Sequence, residues 1–124
     1  MVKILVIDDE EHFCRALKIG FSMKTAFQVK TTTQGEEGIR LAKLMKPDII
    51  LLDIMMPGMA GTEVAEILAE DPVTSSIPII FVTAIVKEDE VKGSGGLAGK
   101  RIFIAKPVNI DELIKKINAV LSHA

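Results

Sequence analysis

Thiols are almost missing from this chain: Cys14 is its one cysteine, which excludes an internal disulfide and fits a reducing compartment. Tryptophan and tyrosine are absent altogether, so intrinsic fluorescence of the usual kind cannot report ligand binding. There is no run of Lys and Arg, and the net charge is −2, which argues against a nucleic-acid surface. No apolar stretch approaches the ~20 residues that a membrane-spanning helix needs. Neither a Walker-type phosphate loop nor a GxGxxG run occurs, which leaves no evident nucleotide cradle. Internal repeats are lacking, and low complexity is confined to a short glycine-rich patch from Gly93 to Gly99.

What is present reads as one soluble cytoplasmic domain, residues 1–124. The opening run from Met1 to Ile7 leads straight into Asp8-Asp9, so it is a strand and not a signal peptide. The first strand is Lys3 to Ile7, and a helix follows from about Glu10 to Ser22 with Phe13, Ala16, Leu17 and Gly20 at helical spacing. Glu10 and Glu11 suit the positive end of that helix's dipole. Cys14, beside Phe13 in this amphipathic segment, is expected to be a packed thiol. Phe27 to Thr31 alternates as a second strand, and a second helix spans about Gln34 to Met45 on Ile39, Ala42 and Leu44.

Asp48 to Asp53 is the most informative stretch. Its four consecutive aliphatic residues, Ile49 to Leu52, suit a central strand buried on both faces, and Pro47 and Pro57 hold it to strand length. A third helix is expected over Thr62 to Glu70, striped by Val64, Ala65, Ile67 and Leu68. The fourth strand is Ile79 to Val82, ending in Thr83, and the fifth is Arg101 to Ala105, ending in Lys106-Pro107. Between them, Val86 to Lys92 could form two helical turns, but the glycines that follow disfavour a longer helix. The last helix has Asn109 as its N-cap and a stripe of Leu113, Ile114, Ile117 and Leu121. His12 and His123 lack metal-ligand spacing.

Strands alternating with helices predict an open parallel α/β sheet, whose ligands bind at the carboxyl ends of the strands. The residues at those ends are Asp8 and Asp9, Thr31, Asp53, Thr83 and Lys106. In a 2-1-3-4-5 strand order, Asp8, Asp9 and Asp53 share one crevice. Three carboxylates there repel one another unless a cation joins them, and Mg2+ is the hard ion such oxygens take. Together with a hydroxyl and a lysine, these are the parts for handling a phosphoryl group. With no nucleotide cradle, the acceptor points to the protein itself, and Asp53 is the central carboxylate that can attack phosphorus.

Asp8-Asp9, Asp53 with Met56-Pro57-Gly58 after it, Thr83-Ala84 and Lys106-Pro107, in this order, resemble the receiver domain of bacterial response regulators (CheY-like) across essentially the whole chain. The resemblance implies a flavodoxin-like (βα)5 three-layer sandwich with a parallel five-stranded sheet in the order 2-1-3-4-5. It implies that Asp53 is the phosphoacceptor, that Asp9, Asp53 and the Met55 backbone carbonyl bind Mg2+ directly, and that Asp8 does so through water. Lys106 would pair with the phosphoryl oxygens, Thr83 would hydrogen-bond them, and Phe103 would change rotamer with Thr83. Pro107 would follow a cis peptide. The partners implied are a sensor histidine kinase or histidine phosphotransferase and a downstream protein effector, reached through the fifth strand and its flanking helices. Direct nucleic-acid binding and membrane insertion are not expected.

Family experience also places rate-setting side chains two residues after the phosphoacceptor and two after the threonine. Here these are Met55 and Ile85, neither able to orient water, so a long-lived acyl phosphate and at most slow self-dephosphorylation are expected. The glycine patch falls where the family has the body of its fourth helix, which is expected to be short or mobile here. No output domain is expected, whether the chain stands alone or is excised from a longer regulator. A phosphatase using an aspartyl intermediate would carry a second acid where Met55 stands. An adaptor that never accepts phosphate would lack one of the acids or the lysine.

Overall fold

The computed structural model describes residues 1–84 and 102–122. Among them are five strands and four helices: β1 (Lys3–Ile7), α1 (Glu11–Lys24), β2 (Gln28–Thr32), α2 (Gly35–Met45), β3 (Ile49–Leu52), α3 (Gly61–Glu70), β4 (Ile79–Thr83), β5 (Ile102–Ala105) and α4 (Ile110–Ser122). The expectations for Ile85, Val86–Lys92, the glycine patch, Arg101 and His123 lie outside the described residues. All strand pairs are parallel, in the order β2-β1-β3-β4-β5, as expected. Ile4 is paired with Ile49, Ile50 with Ile79, and Ile80 with Ile102.

Strand alternation divides the core into two layers. Ile4, Val6, Ile49, Leu51, Ile80 and Val82 pack with Cys14, Leu17 and Phe21 of α1 and Leu113 and Ile117 of α4. Leu5, Ile7, Ile50, Leu52 and Phe81 face the other way, onto Ala42 of α2 and Val64, Ala65 and Leu68 of α3. β3 is buried throughout, as its unbroken aliphatic run requires. Burial of each such side chain contributes roughly 1.5–3 kcal/mol, so the central strand is anchored from both sides.

The helices depart from expectation mainly in rotation. α1 buries Cys14, Leu17 and Phe21, while Ala16 is exposed. The Cys14 thiol donates to the Asp8 carbonyl at 3.3 Å, and burial pushes it up to about 11, so it is packed as expected. α2 buries Gly35, Gly38 and Ala42, and leaves Leu44 68% exposed. Small residues win this face because the helix lies close to the sheet: a Cβ on Gly38 would meet Ile7 Cδ1 at 2.4 Å. Ile67 sits at the rim of the α3 face, more exposed than its neighbours Val64 and Leu68. β2 is displaced by one residue, so Thr32, not Thr31, ends it. Asn109 caps α4 as expected, its Oδ1 accepting the Glu112 N–H at 3.0 Å.

Candidate functional site

Parallel pairing continues just past the strands and sets the site. The Asp8 N–H donates to the Thr32 carbonyl (3.0 Å), that of Asp53 to Ile7 (2.9 Å) and that of Lys106 to Thr83 (3.0 Å). These bonds carry the carboxyl ends of β1, β3, β4 and β5 to one rim. The turn after Asp53 is tied by the Gly61 N–H donating to the Ile54 carbonyl at 2.7 Å. Only glycine permits this closure, since a Cβ at Gly61 would lie 2.0 Å from the Asp53 carbonyl oxygen.

The rim encloses a cavity of about 370 Å3 lined by Asp9, Glu10, Asp53, Met55, Thr83, Ala84 and Lys106. A cavity of similar size at the opposite end of the sheet, lined by Ala69, Ser75, Ile77 and Pro78 among others, has no titratable group among the described residues.

Asp8, Asp9 and Asp53 each bring a carboxylate oxygen within 4.8 Å of the others. Asp8 and Asp53 are buried, with Asp53 only 5% exposed. Asp8 Oδ1 accepts the Glu10 N–H at 2.8 Å. Its Oδ2 lies 2.8 Å from Lys106 Nζ, an ion pair that is not aligned as a hydrogen bond, so this buried oxygen has no hydrogen-bond partner among the described residues. Lys106 Nζ is 3.8 Å from Asp53 Oδ2, pairs with Glu10, and lies 4.3 Å above the centre of the Phe13 ring.

These surroundings shift the protonation equilibria. Burial raises Asp53 to about 6, and the charges of Asp8 and Asp9 add to the rise while Lys106 opposes it. Burial also raises Asp8, against the Lys106 contact and the Glu10 N–H. Burial alone would lower Lys106, but its close contacts with Asp8 and Glu10 and the charges of Asp8 and Asp53 outweigh it and raise the lysine. Crowded carboxylates with one buried oxygen lacking a hydrogen bond fit a hard divalent cation, which would offset their repulsion.

Of the residues expected at the site, Asp9, Asp53, Met55, Thr83 and Lys106 line the cavity, with Asp8 buried beside them. Met55 is 58% exposed, whereas Thr83 is buried. Phe103 is not in the lining; it stacks on Phe81 with ring centres 5.2 Å apart, in the layer facing α2 and α3. Thr31 is outside the lining too. The Lys106–Pro107 peptide is cis.

Glu10 and Phe13 are site residues that sequence reasoning missed. Glu10 was expected within the first helical turn, but it precedes α1, with extended backbone, and its side chain makes no capping bond. The available signal was its place directly after Asp9, on the same rim.

The response regulator receiver domain family model matches residues 4–118. Protein PilH of Pseudomonas aeruginosa is 38% identical over 122 residues, covering 98% of this chain and 99% of that protein. Cell cycle response regulator CtrA of Brucella ovis is 38% identical over 120 residues, covering 97% of this chain but 50% of its own length. The present chain thus spans about half of that relative. Among solved structures, chemotaxis protein CheY4 of Vibrio cholerae superposes with a TM-score of 0.85 at 25% identity, covering 97% of this chain and 98% of its own. A response regulator from Desulfuromonas acetoxidans gives 0.86, also at 25% identity, covering 98% of each chain. Such likeness over nearly the whole chain makes it a member of the response regulator receiver domain family, signalling switches of two-component systems rather than conventional enzymes.

Proposed function

We propose that this receiver domain is a phosphoacceptor switch in which Asp53 takes a phosphoryl group from the phosphohistidine of a sensor kinase or histidine phosphotransferase. The observation that carries this reading is the buried Asp53 carboxylate between Asp8, Asp9 and Lys106. An Asp53 carboxylate oxygen attacks phosphorus, the N–P bond of the donor breaks, and its electron pair leaves with the imidazole. A small acyl phosphate can serve as donor in the same way, its carboxylate leaving.

Asp9, Asp53 and the Met55 backbone carbonyl would hold Mg2+ directly, with Asp8 acting through water. The ion, when bound, supplies positive charge to the phosphoryl oxygens. Lys106 supplies a second positive charge from the β5 side and orients the group. The phosphoryl group adds roughly −1.5 to −2 charge and strong acceptor oxygens. Thr83 donates its hydroxyl to one of them, and Phe103 follows by changing its packing against Phe81. A pre-existing equilibrium is thereby biased toward a changed surface on β5 and its flanking helices, which a downstream protein reads. The lone buried thiol supports placing this in the cytoplasm. The apolar, exposed Met55, where an aspartyl phosphatase would need a second acid, favours a switch over an enzyme.

Acetyl phosphate with magnesium is expected to add the mass of one phosphoryl group to the intact protein. The adduct should be absent in EDTA and in Asp53→Asn. An adduct of equal yield in that variant would overturn the mechanism.

A further inference from the structure

The contact between Glu10 and Lys106 is not required by phosphoryl transfer to Asp53. Glu10 occupies the N-cap position of α1, where a short polar side chain would ordinarily cap the helix, yet it forms no cap bond and reaches Lys106 instead. The Lys106 ammonium is therefore held by Asp8 Oδ2 at 2.8 Å, by Glu10, and by the Phe13 ring at 4.3 Å. Asp53 Oδ2, at 3.8 Å, is more distant than the Asp8 oxygen. The lysine side chain is 10% exposed but that of Glu10 is 60% exposed, so Glu10 is the member of this set that can withdraw into solvent.

We propose that Glu10 is a positioning residue, a resting-state clamp that holds Lys106 toward α1 and must release it before a phosphoryl group on Asp53 is fully paired. An ammonium has three N–H donors. Glu10 occupies one of them and Asp8 adds its charge, and a doubly charged phosphoryl group competes with both. Glu10 has the shallower burial of the two acids and yields first. The clamp thus sets how readily the site accepts the group, without itself touching phosphorus. This inference rests on the phosphoacceptor reading.

Beryllofluoride with magnesium, titrated by calorimetry or 19F NMR, is a probe for the phosphoryl group on Asp53. Glu10→Gln removes the charge, and Glu10→Asp keeps it but shortens its reach by one methylene. A clamp predicts that both variants bind beryllofluoride about 2- to 5-fold more tightly than the parent, the range for losing a partly exposed ion pair. Glu10→Asp binding the anion like the parent would overturn the clamp and leave only a long-range field. Glu10→Gln binding no more tightly would overturn it as well. Failure of the parent protein to bind beryllofluoride would overturn the phosphoacceptor reading and the clamp with it.

Discussion

Replacing Asp53 with Asn should stabilise the protein when magnesium is absent. Asp53 is 5% exposed and raised from an ordinary 3.8 to about 6, first by burial and then by the charge of Asp8. A carboxyl whose folded value is raised is penalised when ionised in the folded state. That penalty is complete above the folded value and fades as pH falls through it toward the unfolded one. With each unit equivalent to ~1.4 kcal/mol, a rise of about two units corresponds to an upper figure of roughly 3 kcal/mol near neutral pH. Asn is neutral and nearly isosteric, so Asp53→Asn should gain about 1–3 kcal/mol at ~pH 7.5 in EDTA, and under about 1 kcal/mol near ~pH 4. Urea unfolding followed by circular dichroism measures both, since the chain lacks Trp and Tyr. Magnesium at ten times its Kd should stabilise the parent by about 1.4 kcal/mol and the variant by less, narrowing the gap. A variant no more stable than the parent at neutral pH, or a gain undiminished near ~pH 4, would refute the electrostatic account.

The remaining predictions concern the loop, the thiol and the rim. Gly61→Ala should cost about 3 kcal/mol or more in urea unfolding and weaken magnesium binding, because the obstructing atom is the Asp53 backbone oxygen at 2.0 Å; a loss under ~0.5 kcal/mol would contradict the close approach. Cys14 should resist a thiol reagent in the folded protein and react on unfolding, given its burial and a thiol raised to about 11; rapid native labelling would contradict this. Met55→Asn should shorten the half-life of the Asp53 acyl phosphate several-fold, because an amide at this exposed cavity position can orient water and a thioether cannot. An unchanged half-life after rapid removal of acetyl phosphate would count against that role.

The parts of this molecule governed by short-range pattern were legible. The run Ile49 to Leu52 is buried on both faces because nothing but a central strand accommodates it, and the acids at the ends of β1 and β3 meet because parallel strands end together. Helix rotation was less legible, since hydropathy favours large residues while packing distance favoured small ones. Gly38 and Ala42 occupy the face of α2 nearest the sheet, and Leu44 is turned outward. Glu10 and Lys106 are 96 residues apart, and nothing local to either residue announces their pairing. Phe103 was legible as an aromatic on the fifth strand, but its stacking on Phe81 depends on the β4–β5 register, which sets those two residues side by side.

The central claim is that Asp53 is the residue phosphorylated, and chemical trapping tests it most directly. After treatment with acetyl phosphate and magnesium, borohydride reduces an aspartyl phosphate to homoserine, which peptide sequencing by mass spectrometry can locate. Homoserine at position 53, and its absence when magnesium is withheld, is the expected result. Homoserine at Asp8 or Asp9, or phosphate retained on His12, would contradict it.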